Sequence, residues 1–433
     1  MGHLISMFVR IYNKLFGFYR EFSPAQRQAY WLLILASAFD GVTQGILLLQ
    51  ETIAKRALAA SDLDIALIGL IANATMILAA AVGILFNQRR KKWLLMAGLF
   101  LGRLIFLASA LITSSRIFLL FLFCYHALFA VQTPVLNSFF KVHIGSKRGQ
   151  AFAVSRMALM ALSIVSSLTA GRVLDLSPRI YPWLLSAVAV TGTVTYIIFI
   201  YLDSLVDYGS QPELSLRSRW DDFRAMLANR NFMMFETVFM TYGLAFMILV
   251  PVVPLMLLNV LRLSFFQMAQ ASGLYAQLFI MLSLPLAGLV YDRINIWKLW
   301  NWSLLMLVGY PGLMAAAYYT RQVGLAYGGY VFYSLGVTGV MILWNLGSLK
   351  FAGDGDTLLY QGFHVALTGV RGLVGPLIGY WLISVFGFPA AFAASALLFT
   401  TAGSMSLSCY HKQKKGLSCH LSDFPLVYAF RKN

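Results

Sequence analysis

The chain has 433 residues, of which 60% are hydrophobic and only 11% charged, and its formal net charge is +17. A water-soluble fold cannot hide that much apolar surface, which excludes a soluble enzyme and points to an all-α, polytopic membrane protein. The basic residues stand in short segments between apolar runs, which argues for a cytoplasmic face and against a nucleic-acid partner.

In chain order, residues 1–28 come first, with Arg10, Lys14 and Arg20 set among Phe8, Ile11, Leu15, Phe16 and Tyr19. This basic amphipathic stretch is expected on the inner membrane surface. Twelve apolar spans follow, predicted at 29–49, 63–86, 93–113, 118–139, 152–174, 182–202, 232–255, 267–290, 297–318, 324–346, 358–385 and 388–409. A polar connection at 204–231 separates an N-terminal six-helix bundle, 29–203, from a C-terminal one, 232–409, and residues 410–433 form a cytoplasmic tail. With the N-terminus inside, the cytoplasmic segments hold 23 Lys and Arg and the outer segments 7. That asymmetry predicts both termini in the cytoplasm.

Span one carries Asp40, with Gln44 one turn on. A charge at mid-bilayer costs about 2.5–3.5 kcal/mol on insertion scales, and a proton removes it. Asp40 is therefore the first candidate for proton coupling, with a structural ion pair to Arg103 or Arg371 as the alternative role. Arg103 in span three is expected to serve packing, and Arg156 near the inner end of span five to reach the interface. Span four offers His126, Gln132 and Asn137, and span ten offers Trp344 and Asn345, as groups for a substrate cavity. Glu236, about one turn inside span seven, is a second candidate for proton coupling, unless it only reaches the inner interface. Pro251, Pro254, Pro285 and Pro311 are expected to bend their helices.

Span eleven is the most informative. Tyr360, His364, Thr368 and Arg371 are spaced 4, 4 and 3 apart, within about 80° of arc on a helix. Beside them Gly369, Gly372, Gly375 and Gly379 form a smooth strip that another helix can approach closely. A polar seam on an apolar helix suits a wet cavity, and Arg371 with His364 suits an anionic or strongly polar substrate.

Gly288, Asp292, Arg293 and Lys298, in the turn after span eight, stand as a glycine, an acid four residues on and two bases. Asn295 lies between them, a residue that tolerates a left-handed turn. In the first half Gly83, Asn87 and Arg90 occupy the equivalent turn, with Asn87 in place of the acid. These turns, the span count and the charge pattern resemble the major facilitator superfamily. The resemblance implies two pseudo-symmetric six-helix bundles, a central site lined by spans one, four, seven and ten, and a gating role for the two turns. Asn137 with Asn345, Phe152 with Tyr360, and Gly171 with Gly379 are each 208 residues apart, which fits an internal duplication.

Cys124, Cys409 and Cys419 have no paired spacing and suggest neither a disulfide framework nor a metal site. No phosphate loop, zinc-helix motif or nucleophile elbow is found. Catalysis, cofactors and metals are therefore not expected, and transport would draw on a gradient. The expected function is secondary active transport of a small polar or anionic solute by alternating access, coupled to protons, by a monomer in a plasma membrane such as the bacterial inner membrane. A multidrug or metabolite efflux antiporter of the same fold is the alternative, and a non-transporting receptor or assembly factor a further one.

Overall fold

The structure is a computed structural model that describes residues 17–78, 91–144, 148–205, 223–291, 294–351, 357–417 and 419. Among these the regular elements are all helical. A short turn, Gly17–Glu21, leads to α1, Pro24–Leu47, which α2, Gln50–Ala57, extends. Then come α3, Asp62–Ala74, and α4, Lys91–Ala97, which runs on through a π segment, Gly98–Arg103, and a 3-10 segment, Leu104–Leu111. α5 is Ser115–Ile144, α6 Arg148–Leu176 and α7 Tyr181–Ser204. α8 is Arg230–Leu255, and α9, Phe265–Met268, joins α10, Ala276–Tyr291, through a π segment. α11 is Ile296–Thr320, α12 Val323–Ile342, α13 Thr357–Phe386 and α14 Phe388–Lys414. Nine helices among the described residues are long and apolar enough to cross a membrane.

Local chemistry explains where several helices begin. At α1, Ser23 Oγ accepts from Gln26 N at 3.3 Å while Gln26 Oε1 accepts from Ser23 N at 3.1 Å. Pro24 follows at the first helical position, where its missing N–H costs nothing. This reciprocal cap starts the helix five residues before the apolar run. Ser61 with Asp64 and Ser264 with Gln267 build the same device at α3 and α9. Asn229 Oδ1 accepts from Phe232 N at 3.1 Å to start α8. Asn295 corrects an expectation. Its backbone is extended, not left-handed, and its Oδ1 accepts from Trp297 N at 2.9 Å as the cap of α11. Its side-chain amide donates to Gln413 Oε1 at 2.9 Å.

The chain forms two compact units. The first comprises Met1–Ala59, Val82–Gly209 and Ser264–Pro285. Here α1 lies against α6 and α7. Gly41 faces the backbone of Leu159, and Gly45 faces Ser163 and Ser166, so the α1 and α6 backbones approach where a side chain would not fit. Phe18 and Phe22, just before α1, pack edge-on against Tyr30 at 5.6 and 5.7 Å within the core of this unit. The α6 end receives α9, where Asp175 accepts from the free amides of Phe265 and Phe266 at 2.8 and 3.0 Å. A carboxylate at that position meets the positive end of the helix dipole.

The second unit comprises Ala60–Ala81, Ser210–Leu263 and Leu286–Asn433. α8 packs on α13 and α14, and α11 on α12 and α14. The glycine strip of α13 divides between two neighbours. Gly369 and Gly372 meet Ile77 and Asn73, the latter on α3, and Gly375 and Gly379 meet Met247 and Ile248 on α8. A Cβ on Gly372 would sit 2.7 Å from the Asn73 backbone carbonyl carbon. Pro251, Pro254, Pro285 and Pro311 all stand inside helices, the first two in α8.

The cysteine reading needs a correction. Cys409 and Cys419 are bonded as a disulfide, while Cys124 is free and half-buried. A chain turn brings together two residues ten apart in sequence, a proximity that spacing alone does not reveal.

Candidate functional site

Two buried charge clusters lie inside membrane-spanning helices, one in each unit. In the first unit, Asp40 on α1 is reached from two sides. Gln44, one turn on, donates to Asp40 Oδ2 at 2.7 Å, and Arg103 Nη2 donates to Oδ1 at 3.4 Å. The Arg103 side chain is 2% exposed. Its guanidinium lies 4.2 Å from the Tyr125 ring centre and 5.3 Å from that of Tyr196, so aromatic faces share the charge. Gly192 on α7 leaves the room for the Arg103 stem. A small cavity beside Asp40 is bordered by Ser37, Phe129, Phe152, Ser155 and Arg156. Arg103 therefore does more than pack. It is the partner of Asp40, one of the two arginines considered from sequence.

In the second unit the polar seam of α13 is covered by α8. His364 Nδ1 stands 2.9 and 3.1 Å from the two Glu236 oxygens. A carboxylate only accepts, so Nδ1–H is the donor. The pair is buried: His364 is 0% and Glu236 2% exposed. Phe239 closes over the imidazole with ring centres 3.8 Å apart. Glu236 thus points into the unit and onto a basic partner. Arg371 Nη1 donates to the Phe239 carbonyl at 2.7 Å and Nη2 to Tyr242 Oη at 3.4 Å, with the Phe239 ring centre 3.8 Å from the guanidinium carbon. Neither His364 Nε2 nor Arg371 Nε has a hydrogen-bond partner among the described residues.

The remaining predicted groups gather less tightly. Trp344 Nε1 donates to Thr368 Oγ1 at 3.1 Å, which joins two of them. Thr368 in turn donates to the His364 carbonyl at 3.4 Å. Tyr360 receives Asn229 at 3.4 Å, near the start of both helices. Asn345 turns back to bond the Met341 carbonyl of its own helix at 2.7 Å. In the first unit His126 Nε2 is 3.3 Å from Gln50 Oε1, a partner on α2 that lies beyond the predicted end of span one. The side chains of Gln132 and Asn137 lie outside the described residues, although α5 carries both. Of the gating turns, Gly83, Asn87, Arg90, Asp292 and Arg293 lie outside the described residues; Gly288 lies on α10 and Lys298 is exposed on α11. No group of three or more His, Cys, Asp or Glu suited to a metal occurs among the described residues.

The sequence model of the Major Facilitator Superfamily matches residues 30–357. The chain belongs to this superfamily, and it is a multi-pass membrane protein of the transporter class. Solved structures carry the same fold at low identity. The nucleoside transporter NupG has a TM-score of 0.60 at 14% identity, over 89% of this chain and 98% of its own. The human organic anion transporter MFSD10 (TETRAN) has a TM-score of 0.61 at 15% identity, over 89% of this chain and 100% of its own. A POT family transporter in complex with 5-aminolevulinic acid has a TM-score of 0.66 at 12% identity, over 90% of this chain and 96% of its own. No curated protein matches the sequence.

Proposed function

We propose that the chain is a proton-coupled secondary transporter that moves a small polar or anionic solute by alternating access. One observation carries this reading: two carboxylates are buried within membrane-spanning helices, and each is held by a basic partner, Arg103 for Asp40 and His364 for Glu236. Ionisable groups at that depth are expensive and mark ion or substrate pathways. A proton on the carboxyl alters each pair, because a protonated carboxyl no longer offers its partner a carboxylate acceptor. Arg371 and His364 keep one N–H or ring nitrogen each without a partner among the described residues, which leaves capacity for a polar solute.

In this account the twelve spans form two six-helix bundles, 29–203 and 232–409, in a plasma membrane with both termini cytoplasmic. The protein acts as a monomer. Asp40 and Glu236 carry the proton step. Gln44, His126, Gln132, Asn137, Trp344, Asn345, Tyr360, His364, Thr368 and Arg371 supply the solute contacts. The turns at Gly83–Arg90 and Gly288–Lys298 serve the gate. The test is transport in proteoliposomes under an imposed pH gradient, with uridine, a dipeptide, glutarate and 5-aminolevulinic acid as trial solutes. Gradient-driven accumulation of one of them, lost in Asp40→Asn, supports the proposal. Flux that ignores the gradient removes the coupling claim.

A further inference from the structure

A third acid lies within the spanning helix and takes no part in either pair. Glu51 follows Gln50 on α2, a polar segment that continues α1 to Ala57 and carries Lys55 and Arg56 in its last turn. It is half-buried and so reachable by a solute, while Gln50 is 9% exposed. The Gln50 side-chain amide donates to Glu51 Oε1 at 3.2 Å. That fixes the amide's orientation, and its own Oε1 then accepts from His126 Nε2 at 3.3 Å. The His126 ring stands edge-on to Tyr125, with centres 4.9 Å apart. Three polar side chains from α2 and α5 are therefore linked in one chain that ends on a carboxylate.

Among the described residues no ion pair reaches that carboxylate. The groups acting on Glu51 are the neutral Gln50 amide and its own backbone amide, with no cation among the described residues. Arg103 is committed to Asp40 and to two tyrosine rings, the Arg56 guanidinium on α2 stands 5.9 Å from the Phe265 ring centre, and Lys55, one turn on, is not among the groups acting on Glu51. Gln50 and, through it, His126 hold the carboxylate in one orientation. The carboxylate accepts from Gln50 and from its own backbone amide, and its two oxygens together have further lone pairs to offer.

We propose that Glu51, oriented by Gln50 and His126, binds a protonated amine on the polar solute. The proposal rests on the transporter reading and adds to it a positive group on the substrate. An ammonium supplies both a counter-charge and the N–H donors that the two oxygens can accept.

The test uses the purified full chain in detergent, without any gradient. Thermal unfolding is followed with spermidine, phenethylamine or putrescine added, and with phenylacetate as the anionic control. At least one amine should raise the unfolding midpoint of the wild type, as a ligand specific to the folded state must, and phenylacetate should not. Glu51→Gln keeps the shape and the Gln50 contact but removes the charge. It should weaken the amine about tenfold or more, the scale of one charge-assisted hydrogen bond. Glu51→Asp should retain the response, which separates lost charge from misfolding. An equal amine response in Glu51→Gln overturns the site, and means that Glu51 carries only a proton or a structural role. So does a wild type that ignores all three amines. If that same wild type still accumulates another solute under a pH gradient, the site fails and the transport proposal stands. In a protein that binds an amine through Glu51 but carries no gradient-driven flux, the site stands and the transport proposal fails.

Discussion

Asp40→Asn isolates the energetic side of the first charge cluster. The substitution preserves size and leaves an oxygen for the 2.7 Å hydrogen bond from Gln44. It removes the charge that faces Arg103 at 3.4 Å. Arg103 is then a guanidinium, 2% exposed, with no carboxylate beside it. Stranding one member of a buried pair costs about 3–5 kcal/mol. Here Tyr125 and Tyr196 already face the guanidinium at 4.2 and 5.3 Å, and their negative faces continue to share its charge. The expected cost therefore lies near the lower bound, about 3 kcal/mol. The assay is unfolding by sodium dodecyl sulfate in mixed micelles, applied to Asp40→Asn, Arg103→Met and the double variant. Removing both charges should cost less than the sum of the single losses, with an interaction of at least about 1 kcal/mol. Additive losses, each below about 1 kcal/mol, would mean that both charges are solvated, and the argument from a buried pair would fail.

Further outcomes follow from the same geometry. Glu236→Gln should abolish the dependence of flux on the pH gradient, read in proteoliposomes; an unaltered dependence removes Glu236 from the proton step. Gly372→Val should destabilise by about 1–3 kcal/mol through overpacking, because its Cβ would fall 2.7 Å from Asn73. Gly362→Ala, on the same helix with nothing within 4 Å of its Cβ, should be neutral or gain up to about 1 kcal/mol from helix propensity. Thermal unfolding of the two variants compares them directly. Maleimide-polyethylene glycol should label denatured protein at Cys124 alone before reduction and at all three cysteines after it, because Cys409 and Cys419 are bonded; three labels without reductant would contradict that bond.

Much of the fold was legible because a bilayer constrains sequence strongly. Apolar runs, the Lys and Arg bias and the glycine strip of α13 each follow from a single physical demand. The helix starts were also readable in principle. Ser23-Pro24 with Gln26, and Ser61 with Asp64, are local caps that apolarity alone passes over. The charge pairs were harder. Helical periodicity places Tyr360, His364, Thr368 and Arg371 on one face, but not what covers that face. Phe239 and Glu236 on α8 do so, from 128 residues away in the case of the Glu236–His364 bond. Glu51 was passed over because the apolar run ends at Leu49, whereas α2 carries the helix to Ala57. The closing disulfide was invisible for a similar reason. Ten residues of sequence say little about a turn that reverses the chain.

The most direct test of the central claim reads proton movement itself. Purified protein is reconstituted into sealed vesicles holding a pH-sensitive dye, and the trial solutes are added without a membrane potential. The account predicts a solute-dependent pH change that requires Asp40 and vanishes in Asp40→Asn. Transport of a solute with no proton movement, or proton movement unchanged by that substitution, would contradict it.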